Sequence, residues 1–318
     1  MKNRVLITGG FGNLGGRLAI AQSGGGAVAV RLASRARRVA PDWLPQAETA
    51  QLDLMSKESL IAALDGVETV IHLASPNEHA SALDPGETMR STAGGTANLV
   101  VAAEESRVKR FIYMSSAHIY GSPIRGHINE TTMPRPTTAY AISHLAAEQF
   151  VSAAHDREQM VGVVLRSGNG FGYPVHSEVD TWHLVINDLC RQAVSTRTLR
   201  LRSTGTQERN FITISDIAMA VALVARVPRE ELGNGIFNLG ESKSTSVLAM
   251  ASMVADRCEA KFNFRPQIER PQDANEKIMK LDYDTAKIAG IGFSPTSNFY
   301  SEIDGILDLC QSDLNATK

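Results

Sequence analysis

Apolar residues gather in short runs at positions 4–8, 28–32, 49–52, 69–73, 110–115 and 161–166, and longer stretches of helical spacing separate one run from the next. Strands that alternate with helices in this way predict a parallel sheet covered by helices on both faces. The near-continuous hydrophobicity inside each run agrees, because such strands are buried on two sides. Past about residue 175 the rhythm breaks into helices and loops that carry Arg209, Arg270 and several Gly and Pro residues. The pattern predicts an α/β chain: a doubly wound parallel sheet over residues 1–170, with a smaller, mainly substrate-binding lobe over 171–318. No linker, repeat or low-complexity segment marks the boundary, and the chain is free to cross back.

The first run leads straight into glycines, Val5-Leu6-Ile7-Thr8-Gly9-Gly10-Phe11-Gly12-Asn13-Leu14-Gly15, and a helical pattern follows. Strand, glycine turn and helix in immediate succession point the N–H groups of a helix N-terminus at an anion, the arrangement that holds a dinucleotide pyrophosphate. Gly9, Gly12, Asn13, Leu14 and Gly15 are therefore candidate cofactor contacts. The spacing alone is weak evidence, and its context is what supports it.

The second run ends at Ala33-Ser34-Arg35, with Arg37 and Arg38 beyond and no carboxylate from residue 28 to residue 41. An acidic residue at this place holds the ribose hydroxyls of NAD, whereas arginine accommodates the 2′-phosphate of NADP. NADP is accordingly favoured over NAD, through Ser34 and Arg35; a solvated helix end is the alternative for these arginines. Asp53 and Leu54, after the third run, are candidates for the adenine, and a helix N-cap explains Asp53 as well.

Bulk properties narrow the partners. Across 318 residues the net charge is −2 with 21% charged residues, well mixed, which gives no sign of a nucleic-acid or membrane-surface protein. The one dense basic cluster, Arg31, Arg35, Arg37 and Arg38, is local. Cys190, Cys258 and Cys310 are far apart and suggest neither a disulfide framework nor a metal site. The longest apolar stretch, residues 217–227, is too short to span a bilayer. The first strand pattern begins within a few residues of Met1, so we expect no secretory leader and a cytoplasmic protein.

The fifth run opens into Tyr113-Met114-Ser115-Ser116-Ala117-His118-Ile119-Tyr120-Gly121, and Thr138-Ala139-Tyr140-Ala141-Ile142-Ser143-His144 follows with Thr137 or Thr138 as a helix cap. Tyr140 and His144 then share one helix face. With Thr8-Gly9-Gly10-x-Gly12-x-x-Gly15, Val70-Ile71-His72-Leu73-Ala74, Arg166-x-x-Asn169-x-Phe171-Gly172, Arg209-Asn210-Phe211-Ile212-x-Ile214-x-Asp216 and Phe237-Asn238-Leu239-Gly240, these motifs cover nearly the whole chain. In that order they resemble the extended short-chain dehydrogenase/reductases of the NAD(P)-dependent nucleotide-sugar epimerase/dehydratase group, a Rossmann-type fold. The resemblance implies that Ser116 hydrogen-bonds the reacting oxygen, that Tyr140 is the acid/base of hydride transfer, and that Leu73 and Ala74 line the cofactor. It implies that Asn169 and Arg209 hold a substrate diphosphate, with Arg270 a further candidate. It also implies a homodimer through residues 88–105 and 138–155, where Leu99, Val100, Leu145 and Val151 fit either an interface or a buried helix face.

Two departures bear on the chemistry. Where the family carries Tyr-x-x-x-Lys, this chain has His144, and an ordinary imidazole is mostly neutral at pH 7. At an effective dielectric of ~20 and ~5 Å, a unit charge is worth roughly 3 kcal/mol, or about two pKa units at the phenol. Without it Tyr140 stays protonated and the site leans towards carbonyl reduction; the alternative is an imidazole that bonds the ribose and changes little. The second departure is Ala117-His118 in place of the dehydratases' Asp-Glu. This predicts epimerisation or ketoreduction and argues against 4,6-dehydration. His118 is then a substrate contact, a structural residue or a proton donor at a neighbouring carbon. Thr92 stands where the family has Asn. Two other classes stay open: an NADP-binding sensor or assembly protein with impaired catalysis, and a reductase of a carbonyl compound that carries no nucleotide.

Overall fold

The computed structural model describes residues 3–24, 26, 28–272 and 278–316. Its centre is a seven-stranded sheet. The strands are β1 (Asn3–Thr8), β2 (Val28–Ser34), β3 (Glu48–Gln51), β4 (Thr69–His72), β5 (Arg110–Ser116), β6 (Val161–Ser167) and β7 (Ile236–Leu239). They lie in the order β7-β6-β5-β4-β1-β2-β3, and every pairing is parallel. The chain runs outward from β1 to β3, returns to the other side of β1 with β4, and runs outward again. That reversal opens a crevice past the carboxyl ends of β1 and β4, the usual ligand position in sheets of this kind.

All six expected runs are strands of this sheet, each within one or two residues of its expected bounds. The seventh corrects the reading of the second half, where only helices and loops were expected. Strand β7 spans four residues and pairs with β6 by placing Phe237 and Leu239, both buried, beside Leu165 and Ser167. It is no shorter than β3 or β4, but it lies past residue 175, where the alternation of strands and helices that marks those two has broken down.

The longer helices are α1 (Asn13–Ser23), α2 (Lys57–Leu64), α3 (Gly95–Glu105), α4 (Ala139–Asp156), α5 (Val185–Thr196), α6 (Ile214–Val224), α7 (Val247–Phe262) and α8 (Phe299–Ala316). Successive strand residues point to opposite faces, so Val5, Ile7, Ile112 and Leu165 pack with Leu18 of α1 and Val221 of α6. Leu6, Phe111, Tyr113 and Val164 pack instead with Leu60 of α2, Leu99 of α3 and Val151 of α4. A separate core joins Ile186 and Cys190 of α5, Val254 and Cys258 of α7, and Ile303 and Cys310 of α8. Arg17 of α1 ties this lobe to the sheet: it is ion-paired to Glu302 at 2.6 Å and donates to the Tyr173 carbonyl at 2.9 Å. Glu302 is only 2% exposed, so loss of either partner would strand a buried charge.

Leu99, Val100 and Val151 belong to the internal core, which decides between their two expected roles; the exposed apolar positions of the same helical region are Met89, Val101, Ile142 and Phe150. Among the described residues no helix is long and apolar enough to cross a membrane.

Candidate active site

The glycine turn is built by backbone geometry. Gly9 has a φ of +67°, which only glycine adopts freely, and a Cβ on Gly15 would stand 2.2 Å from the Gly9 carbonyl oxygen. Helix α1 therefore starts flush against the turn. Its cap residue is Gly12, with no side chain to occupy the first-turn N–H groups, and the buried Asn13 Oδ1 has no partner among the described residues. An uncapped helix N-terminus at the sheet crevice fits a dinucleotide pyrophosphate. The wall opposite is Leu73-Ala74, whose N–H groups donate to Thr8 Oγ1 at 3.1 and 3.2 Å, while Leu14 packs inward on the core.

Beyond β2 the expected basic cluster divides. Arg31 is ion-paired to Glu48 at 2.7 Å in mid-strand and leaves the group. Arg35, Arg37 and Arg38 are exposed, and Arg38 lies 4.9 Å over the Phe11 ring, which sets a cation beside the glycine turn. Ser34 Oγ donates to the Ala36 carbonyl at 2.5 Å and so shapes the same loop. Asp53 is exposed and accepts from the Met55 N–H at 2.9 Å; the cap of α2 is Ser56, so Asp53 does not serve as that N-cap. Leu54 packs against Gly95 at the start of α3.

Tyr140 and His144 come together as expected, because Thr138 Oγ1 caps α4 by accepting from the Ala141 N–H at 3.2 Å and the helix then runs unbroken. Their ring centroids are 4.4 Å apart. The Ser116 hydroxyl at the end of β5 stands beside the Tyr140 phenol, and accepts from the His118 N–H at 3.2 Å. Burial raises the Tyr140 pKa above its ordinary value; the nearby Ser116 hydroxyl opposes that rise and the charge of Glu78 adds to it. His144 is 3% exposed, and burial pushes its pKa down to about 3, with a smaller push in the same direction from His118. The imidazole is uncharged at neutral pH and supplies no ammonium-like field. Both ring nitrogens have partners: Tyr113 OH at 2.7 Å on Nδ1 and Ser75 Oγ at 3.3 Å on Nε2. Thr92, buried in the helical segment ahead of α3, reaches the same Ser75 hydroxyl at 3.1 Å.

Next to this cluster lies a cavity of about 90 Å³ lined in part by Ala117, His118, Asn169, Gln207, Arg209 and Tyr283. Asn169 and Arg209 are thus brought together with His118. Arg270 is not among the lining residues; it donates to the Thr204 carbonyl at 2.9 Å. Burial lowers the pKa of Arg209, and Glu78 opposes the shift. Among the described residues no hydrogen bond or ion pair engages the Arg209 guanidinium. A half-buried, unbonded guanidinium suits phosphate oxygens. The His118 ring meets Tyr140 edge-on at 6.4 Å, and its buried Nδ1 has no partner among the described residues. Burial holds its pKa below the ordinary value, against the pull of Glu78 and with a further push from Arg209.

Sequence reasoning missed Glu78 and Tyr113. Glu78 sits on the short helix Glu78–Leu83 and acts electrostatically on His118, Tyr140 and Arg209 at once, with no motif to mark it. Tyr113 was readable in principle, since the two-residue period of β5 puts it on the α4 face with Phe111. A further network also lay out of sight. Arg166, 4% exposed, forms a 2.8 Å ion pair with the fully buried Glu148 and donates to Tyr120 OH at 2.8 Å, while Ser115 Oγ donates to the same carboxylate.

Comparison with known proteins bears on the family and the fold. The family model described as "NAD dependent epimerase/dehydratase family" matches residues 5–240. A curated relative, dTDP-D-glucose 4,6-dehydratase of Bos taurus, is 28% identical over 204 residues, which cover 63% of this chain and 55% of the relative. Another, 3 beta-hydroxysteroid dehydrogenase/Delta 5→4-isomerase of Mycobacterium tuberculosis, is 31% identical over 179 residues, 53% of this chain and 47% of that protein. The chain spans about half the length of these relatives. The crystal structure of UDP-glucose 4-epimerase from Thermus thermophilus in complex with NAD superposes with a TM-score of 0.78 at 23% identity, over 97% of this chain and 99% of that one, and so shares the fold. The chain belongs to the NAD-dependent epimerase/dehydratase family.

Proposed function

We propose that the protein is an NAD(P)-dependent epimerase or ketoreductase acting on a nucleotide-activated sugar. The observation that carries this reading is the Ser116–Tyr140 pair at the crevice beside an unbonded Arg209. A nicotinamide dinucleotide held by the glycine turn, Leu73, Ala74 and the β2 loop supplies hydride donation and acceptance. Ser116 and Tyr140 bind the reacting oxygen, and Tyr140, held protonated by burial, gives its proton to the oxygen of a carbonyl. Arg209 and Asn169 take the diphosphate. In an epimerase the same phenol first accepts the proton of the sugar hydroxyl and later returns it.

NADP is the preferred form in this reading, with Ser34 and Arg35 at the 2′-phosphate and Arg38 beside them over Phe11. Dehydration at C4–C6 is disfavoured even though curated relatives carry that name. It needs an acid and a base at neighbouring carbons, Ala117 is neither, and His118 is a single imidazole whose lowered pKa suits a base only. The 31% identity to the steroid dehydrogenase keeps a carbonyl substrate without a nucleotide as a second reading. A homodimer would use the exposed Met89, Val101, Ile142 and Phe150.

A panel of UDP- and dTDP-sugars and their 4-keto forms, incubated with NADPH or NADH, tests the proposal. Sugar interconversion without net cofactor consumption identifies an epimerase, and stoichiometric NADPH oxidation on a keto-sugar identifies a reductase. Tight dinucleotide binding with no hydride exchange anywhere in the panel would convert the reading to that of a sensor. If Arg209→Gln left substrate affinity unchanged, the nucleotide would have to be given up.

A further inference from the structure

We propose that Tyr113 is a positioning residue that holds His144 as its Nε2–H tautomer, so that the ring presents a fixed, uncharged donor to the dinucleotide groove at the end of β4. The proposal rests on the reading above that a nicotinamide dinucleotide occupies this groove.

The tautomer follows from proton accounting. Tyr113 is 1% exposed, and its only hydrogen-bond partner among the described residues is His144 Nδ1 at 2.7 Å. Were the phenol to accept from an Nδ1–H, its own proton would be buried with no acceptor. It therefore donates, Nδ1 carries the lone pair, and the proton of the neutral ring sits on Nε2. The other side of the ring is consistent with this. Ser75 Oγ donates to the Pro76 carbonyl at 3.1 Å, which leaves its lone pairs to accept from Nε2–H at 3.3 Å and from Thr92 Oγ1 at 3.1 Å.

The direction of that N–H links the tautomer to function. Ser75 follows Leu73-Ala74, the wall facing Gly9 across the crevice. At 3.3 Å the Nε2–Ser75 contact is longer than the usual range of roughly 2.7–3.2 Å. A ligand hydroxyl that reaches the same proton exchanges for it at little cost. A lysine on this helix would reach such a hydroxyl on a flexible stem with three donors and need no helper. An imidazole has one proton to offer, and the group on its other nitrogen decides where that proton is. Tyr113 and His144 thus act as one unit: the phenol stands where a phenylalanine would pack equally well, and the hydroxyl is what His144 requires.

The test has two arms. In ¹⁵N-histidine NMR spectra of the intact protein, with His144→Asn used to identify the resonances, the wild type should show a protonated Nε2 and a bare Nδ1, and Tyr113→Phe should mix or reverse them. In NADPH titrations, Tyr113→Phe should weaken binding about three- to tenfold, the worth of one hydrogen bond, and should have no such effect in a His144→Lys background. An Nδ1–H tautomer in the wild type overturns the proposal. So does equal weakening in both backgrounds, which is what lost packing alone would give. Should Tyr113→Phe fail to fold, the wild-type spectrum decides by itself. If the wild type binds no nicotinamide dinucleotide, the functional reading fails, and the spectrum still decides the tautomer.

Discussion

At the turn between β1 and α1 the groups that face the crevice are backbone N–H donors, fixed by Gly9 and by the contact that excludes a side chain at Gly15. At the junction of β5 and α4 they are side chains, Ser116, Tyr140 and His144, with the Tyr140 ring against His144 and His144 held in turn by Tyr113 and Ser75. The first region can bind a pyrophosphate whatever its neighbours are, because the main chain supplies the chemistry. The second changes character with every partner: a lysine at 144 would bring a charge, whereas the histidine brings a neutral ring and has to be oriented by Tyr113 and Ser75.

Breaking the side-chain region should give the largest effect. Tyr140→Phe removes the proton donor and should lower kcat by about 10²- to 10⁴-fold while dinucleotide affinity changes little; comparable losses in both would mean that the phenol is a binding group. Acid stability comes next. His72 and His144 are buried with pKa values held at about 3, in each case chiefly by burial, against an ordinary 6.5. The unfolded chain binds more protons than the folded one between these values. Stability is therefore complete above pH 6.5 and falls with pH down to about 3, by about 1.4 kcal/mol per histidine per pH unit. Denaturant midpoints at pH 7 and 5 measure this loss, and it should shrink in a His144→Gln variant.

The backbone region is tested by Gly15→Ala. A methyl group 2.2 Å from the Gly9 carbonyl must displace main chain, at a cost of about 1–3 kcal/mol or more, and should weaken binding of NAD and NADP alike. The smallest effect expected is that of Arg209→Gln on substrate: about a tenfold rise in KM, roughly 1.4 kcal/mol, with kcat nearly kept. A fall in kcat instead would place Arg209 in the chemistry.

The two regions also differ in how far they could be read from the sequence. The glycine turn and six sheet strands were legible because apolar runs, their alternation and the glycine spacing are local signals, each carried by adjacent residues. Tyr140, His144 and Ser116 were legible because motifs lie beside them. Strand β7 was not, since it lies beyond the strand–helix alternation that marked the equally short β3 and β4. Neither was the division of the arginines, where Arg31 is drawn away by Glu48 on the neighbouring strand. The partners of His144 come from β5 and from the loop after β4, 31 and 69 residues away along the chain, and no local pattern reports such a meeting.

The central claim is that an uncharged His144 leaves Tyr140 a proton donor first, which favours reduction. The direct measurement is the ratio of alcohol oxidation to carbonyl reduction at pH 7 for the wild type and His144→Lys, with a substrate pair from the panel. A charge restored at 144 should lower the phenol pKa by about two units and raise the ratio towards oxidation. A ratio that stays unchanged, with the dinucleotide still bound, would contradict the account.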